Sequence, residues 1–459
     1  MFKRDLQIDL EKWQMQPSRK PLVVRGARQV GKTTVISEFG KNFGQYIYLN
    51  LELPEDRQPF EQFSTIETLL QAIFFLKNKT LSQKGQTLLF IDEIQAAPEA
   101  VNLLRYFYEQ EPGIAVIAAG SMLETLFSKN VSFPVGRVEY KVLRPVSFLE
   151  FLSAMNETAA REQVEQIPAA AFSHQKLLSL FHTYALIGGM PEAVQHYSTH
   201  KDLVSLSPLY DSLLTSYMDD AEKYARNDTQ MQLIRHAVRS SFAQAGKRIK
   251  FQGFGNSNYG SREMGEALRA LQKALLLYIV YPETGFTLPL LPDLKKSPRL
   301  HVLDTGLINY FAGIQREILS TDDLSKVYQG GMIEHLVGQE LLAFQHQALS
   351  ALHFWVREKK TSVAELDYLF PFEDKLIPVE VKSGSDGKLR SLHLFMDAAP
   401  HNLAVRFYTG EVSITKATTP RGKNFKLLNL PYYAVSQIEK YLAWIQKQDQ
   451  LFKGKIHEC

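Results

Sequence analysis

Gly26-Ala27-Arg28-Gln29-Val30-Gly31-Lys32-Thr33 follows the apolar run Pro21-Leu22-Val23-Val24 and precedes Thr34-Val35-Ile36-Ser37-Glu38-Phe39, a stretch that can form a helix. Strand, glycine-containing loop and helix, in that order, are the context in which G-x-x-x-x-G-K-[ST] cradles nucleotide phosphates. Gly26 and Gly31 let the backbone turn tightly and bring its N–H groups close to phosphate oxygens. The new helix start adds partial positive charge. Lys32 reaches the β- and γ-phosphates, and the Thr33 hydroxyl can hold Mg²⁺. The loop candidates are therefore Gly26, Ala27, Arg28, Gln29, Val30, Gly31, Lys32, Thr33 and Thr34.

A second motif, Thr87-Leu88-Leu89-Phe90-Ile91-Asp92-Glu93, runs a continuous apolar stretch into two carboxylates. Such a run reads as a strand buried on both faces, and functional groups of open α/β sheets gather where these strands end. Asp92 is placed to bind the Mg²⁺ of a nucleotide complex, and Glu93 to polarise the attacking water. A third strand, Ile114-Ala115-Val116-Ile117-Ala118-Ala119, ends in Gly120-Ser121. Ser121 is a candidate sensor of the γ-phosphate, with a helix cap as the competing reading. Arg137, after Gly136, is a candidate for stabilising phosphate charge in cis or from a neighbouring subunit; a surface ion pair is its alternative.

Elements must hold these residues together. The strand candidates Leu22–Val24, Tyr46–Leu51, Leu88–Ile91 and Ala115–Ala119 alternate with helical patterns such as Ile66–Phe74, which implies a parallel sheet covered on both faces. This first unit spans residues 1–155. Residues 156–325 read as mostly helical, interrupted at Gly188-Gly189-Met190-Pro191. They end in a helix from Ser261, a run to Tyr281 and a second strand at Arg299–Leu303. Helix, turn, helix and hairpin outline a winged helix, and Arg239, Lys247, Arg248, Lys250, Arg262 and Arg269 are its candidate phosphate contacts; a packing module with solvated cations is the alternative.

Residues 326–459 form a third α/β unit. Glu334–Phe344 reads as an amphipathic helix, followed by a strand at Leu352–Arg357 and two more over Ala364–Phe370 and Ile377–Gly384. Asp367, Glu380 and Lys382 then lie on neighbouring strands, 380 and 382 on one face. Glu340 is expected to point at the same place. Two acids and a lysine so arranged make a Mg²⁺ site for phosphodiester hydrolysis, or the wet face of a half-exposed hairpin.

At 459 residues the chain is too long for one core, and two to four domains are expected. A net charge of +3 predicts no particular partner, so any nucleic-acid contact must come from local patches. The single cysteine, Cys459, excludes an intramolecular disulfide framework and a cysteine zinc site and fits a reducing compartment. The 12 histidines show no metal-ligand spacing. The N-terminus lacks a signal-peptide core, and no apolar run is long enough for a membrane span, so a soluble cytoplasmic protein without membrane contact is expected.

The chain resembles the bacterial and archaeal AAA-type (AAA+) ATPases fused to a C-terminal domain of unknown function with a restriction-endonuclease-like core. The resemblance rests on Arg25–Thr34, Phe90–Gln95, Ala119-Gly120-Ser121, Gly136-Arg137 and Pro145–Phe151, then on Gly188-Gly189-Met190-Pro191-Glu192, Leu303-Asp304-Thr305-Gly306-Leu307 and Val379–Gly384. It implies an AAA+ fold related to the STAND-type ATPases, ATP and Mg²⁺ as ligands, and a nuclease-like C-terminal fold. By motif position it implies Lys32 and Thr33 on phosphates and metal, Asp92 and Glu93 as the acidic pair, Ser121 as sensor, and Asp367, Glu380 and Lys382 as nuclease-core positions. Expected partners are ATP, DNA or a protein, and further copies of the chain. The leading expectation is an ATPase that drives conformational change; an ATP-gated nuclease and a slow ATPase switch recruiting a protein are the alternatives.

Overall fold

The computed structural model describes residues 2–121, 134, 136–222, 225, 227–313, 331–359, 362–382 and 389–454. Its first sheet holds β1 (Leu22–Arg25), β2 (Gln45–Asn50), β3 (Thr87–Asp92), β4 (Ala115–Gly120) and β5 (Glu139–Val142). The order is β2-β3-β4-β1-β5, with every pairing parallel. β3 and β4 are buried at every position, as their unbroken apolar runs require. Alternate residues serve opposite faces: Leu88 and Phe90 pack with Val35, Ile36 and Phe39 of the helix Lys32–Gly40, whereas Leu89 and Ile91 pack with Ile66, Leu70 and Leu104. The apolar runs announce four of the five strands. β5 sits at the sheet edge with Glu139, Tyr140 and Lys141 half-buried, and its polar composition hides it from a search for buried strands.

Past the sheet, Ser147 caps the helix Phe148–Ala154 in a reciprocal box with Glu150. The middle region is helical, through His174–Ile187, Pro191–His200, Ser207–Glu222, Asp228–Ala243 and Ser261–Lys273. Ser261–Lys273 buries Met264, Ala267, Leu268 and Leu271, one stripe at helical spacing, and leads into β6 (Leu277–Val280), antiparallel to β7 (Arg299–Val302). The expected helix-and-hairpin outline is therefore present. Its cations are partly engaged by carboxylates: Arg248 meets Glu358 at 2.6 Å and Arg262 meets Glu266 at 3.3 Å.

The C-terminal region follows the helix Gly331–Ala343. A ribbon of β8 (Trp355–Lys359) and β9 (Ser362–Leu366) precedes a sheet of β10 (Tyr368–Phe372), β11 (Lys375–Val381), β12 (Leu403–Tyr408), β13 (Ser413–Thr418) and β14 (Asn424–Pro431). Its order is β10-β11-β12-β14-β13, with a parallel centre and antiparallel edges. The stretch expected as one strand, Ala364–Phe370, breaks at Asp367. One continuous hydrophobic cluster runs from Leu6 through Tyr184, Leu268 and Leu336 to Ile445, so all three regions share it. Among the described residues no helix is long and apolar enough to cross a membrane.

Candidate functional site

The loop after β1 takes the conformation its glycines allow. A Cβ on Gly26 would lie 2.5 Å from the Leu143 carbonyl oxygen, and Gly31 stands at φ +91° immediately before the helix Lys32–Gly40. Lys32 is buried, and its Nζ donates to the carbonyls of Gly26 (3.0 Å) and Ala27 (2.9 Å). Burial lowers its pKa, and the charges of Glu93 and Asp92 oppose that shift.

β3 delivers Asp92 to the same point. The Thr33 hydroxyl donates to Asp92 Oδ2 at 2.6 Å, the Tyr48 hydroxyl approaches that oxygen at 3.4 Å, and the Glu93 N–H donates to Oδ1 at 3.0 Å. Burial raises the Asp92 pKa, while the Thr33 hydrogen bond lowers it. Thr33 and Asp92 thus stand together with oxygen donors suited to Mg²⁺. Glu93 has φ +50°, which turns the chain sharply at the strand tip, and its carboxylate accepts from Gln95 Nε2. Ser121 is buried directly past β4, the strand between β3 and β1.

A cleft of about 600 Å³ opens over the loop. Arg28, Gln29, Gly31, Lys32, Thr33, Thr34 and Glu93 line it, together with Phe2, Arg4 and Gln7 from the N-terminus and Pro191, Glu192 and Gln195 from a middle helix. Ala27 and Val30 are instead buried in the core. Sequence reasoning missed the walls from outside the loop. Gly188–Glu192 stood out as a motif, but nothing local says which cleft it faces.

Arg137 is elsewhere. It precedes β5, whose Glu139 pairs with Leu22 at the start of β1, so it sits at the end of the sheet opposite the phosphate loop. Its guanidinium meets Glu109 at 2.8 Å and lies over Tyr108. The expected action in cis is therefore corrected: a parallel sheet separates the two ends of its strands.

The C-terminal candidates meet only in part. The Val381 N–H donates to Asp367 Oδ2 at 2.7 Å, and Lys382 Nζ meets Glu380 Oε1 at 2.5 Å. Among the described residues Glu380 Oε2 is buried without a hydrogen-bond partner. Arg299 of β7 donates to the Asp367 carbonyl at 2.7 Å and pairs with Glu365. Burial, reinforced by the Asp367 charge, pushes Glu380 up to about 8 and Glu334 up to about 7. Among the described residues no group of three or more His, Cys, Asp or Glu side chains is gathered to hold a metal ion.

Glu340 is not among these acids. It faces the first and middle regions, accepting at Oε1 from the Phe148 N–H (3.0 Å) and the Tyr184 hydroxyl (2.7 Å). The carboxylate that this helix turns toward Asp367 and Lys382 is Glu334, six residues earlier. At about 100° per residue, six positions place the two side chains roughly 120° apart around the helix. The helix is buried over most of its length, from Leu336 through Ala343, so hydrophobic pattern could not choose between its faces.

The parallel sheet, the loop at its β1 tip and the acid at its β3 tip define a P-loop ATPase domain. Residues 18–152 match the model of an AAA domain. Residues 178–317 and 329–433 match two domains of unknown function, DUF8612 and DUF4143. No curated protein sequence matches the chain. Among solved structures, a Walker-type ATPase of Pyrococcus abyssi is similar at 14% identity over 68% of this chain and 96% of its own, with a TM-score of 0.44. A STAND ATPase with a tetratricopeptide repeat sensor from Pyrococcus horikoshii is similar at 15% identity over 71% of this chain and 46% of its own, TM-score 0.25. The Orc1 protein of Aeropyrum pernix, solved with DNA, is similar at 12% identity over 69% and 92%, TM-score 0.26.

Proposed function

We propose that the chain binds ATP with Mg²⁺ over residues 26–34 and hydrolyses it to drive rearrangement of its middle and C-terminal regions. The observation that carries this reading is the Thr33 hydroxyl on Asp92 Oδ2, beside a buried Lys32 folded into the loop. In this reading the loop N–H groups and Lys32 bind the phosphates, and Thr33 and Asp92 would hold a metal that would neutralise charge on them. Glu93 orients and polarises the attacking water, and Ser121 senses the γ-phosphate. Steady-state ATP hydrolysis with and without DNA tests it. Lys32→Ala is expected to abolish turnover, and Glu93→Gln to keep ATP affinity while losing at least about a hundredfold in rate. Unchanged turnover in Lys32→Ala sinks the proposal.

A second reading places a metal-dependent phosphodiester hydrolase at Asp367, Glu380 and Lys382 in a restriction-endonuclease-like core. Glu380 Oε2, buried and without a partner among the described residues, favours it. Incubation with DNA and Mg²⁺ or Mn²⁺ decides: cleavage lost in Glu380→Ala supports a nuclease, and equal cleavage by that variant rejects it.

A further inference from the structure

Arg28 belongs to the phosphate loop, yet its guanidinium pairs with Asp220, 192 residues further along the chain. Asp220 lies on the helix Ser207–Glu222. Three residues before it, on the same helix, the Tyr217 hydroxyl donates to the Arg28 carbonyl at 3.0 Å. One helix of the middle region therefore holds Arg28 by both its main chain and its charge. Tyr217 is buried, whereas the Arg28 side chain is 36% exposed and lines the cleft with Lys32, Thr33 and Glu93.

The local charges make this contact sensitive to phosphate. Arg28 and Lys32 are the cations, and Asp92, Glu93, Asp220 and Glu52 the anions, that act on one another here. A triphosphate in the cleft adds several negative charges. It draws the Arg28 guanidinium, whose planar fork suits phosphate oxygens, and it repels the Asp220 carboxylate. Both effects oppose the Arg28–Asp220 pair.

We propose that Asp220 and a bound nucleoside triphosphate compete for Arg28, so that the pair is a latch through which the loop reports occupancy to the helix Ser207–Glu222. This rests on the ATP-binding reading above and adds its regulation. The latch favours the empty state, so removing it tightens ATP binding; linkage demands that reciprocity.

The test measures ATP affinity by calorimetry in wild type, Asp220→Ala and the near-isosteric Asp220→Asn. It also follows hydrogen exchange of peptides covering 207–222 with and without ATP. Wild type is expected to exchange faster in this helix when ATP is bound. Both variants are expected to bind ATP more tightly, by roughly five- to fiftyfold, and to lose most of the ATP-dependent change. A purely structural ion pair would lower stability without tightening binding. Unchanged or weaker affinity in Asp220→Asn, with the wild-type exchange response intact, overturns the latch and leaves ATP binding standing. No ATP binding by wild type overturns both.

Discussion

Glu340→Gln replaces a buried carboxyl by a neutral group of the same shape, and its effect can be worked from the contacts. Glu340 is 1% exposed. Burial pushes its pKa from the ordinary 4.5 up to about 8, against the hydrogen bonds from Tyr184 and Phe148. Between those two values the folded chain holds a proton that the unfolded chain has released. Stability from this group is thus fully present below about 4.5 and is lost as pH rises toward 8. The slope is about 1.4 kcal/mol per pH unit, so between pH 5.5 and 7.5 the group removes ~2.7 kcal/mol. Gln keeps an oxygen for both donors and has no proton to lose. Urea unfolding of both proteins at several pH values is the assay, and the wild-type stability is expected to fall relative to the variant by up to ~2.7 kcal/mol over that window. Other buried acids titrate in both proteins and drop out of the difference. Parallel curves would refute the reasoning, because they would mean that Glu340 holds the same charge folded and unfolded.

Arg137→Ala is expected to leave ATP affinity unchanged, since Arg137 lies at the far end of the sheet; weaker binding by the isolated chain in calorimetry would contradict that placement. Gly306→Ala is expected to destabilise by ~3 kcal/mol or more, because its Cβ would lie 1.9 Å from the Ile187 carbonyl oxygen. A loss below ~1 kcal/mol in denaturant melts would mean that the backbone there yields readily.

What could be read from the residues was whatever chemistry confines to a short, fixed spacing. Gly26 through Thr33 form one turn whose purpose sets its residue types, and Asp92 ends a strand whose apolar run is unmistakable. The other strands of the first sheet follow from apolar runs, or for the edge strand β2 from alternation, whereas β5, polar and at the opposite edge, carries no such mark. What escaped depends on contacts between distant positions. Pro191 and Gln195 reach the cleft from another region, and Asp220 meets Arg28 from 192 residues away. Glu340 was misassigned because its helix is buried on more than one side, so either of two carboxylates fitted the pattern.

The hydrophobic cluster running from Leu6 to Ile445 has a consequence for how this chain can be taken apart. Phe148 near the end of the ATPase domain stacks edge-on against Phe181, and Phe181 lies against Tyr432 beyond the last strand. Cutting between the three matched regions would therefore strip apolar surface from each fragment instead of freeing self-sufficient modules. Grafting one region from a relative would demand matching side chains on both partners at these seams. The three matched regions fold around shared apolar seams, so engineering one of them means engineering its neighbours too.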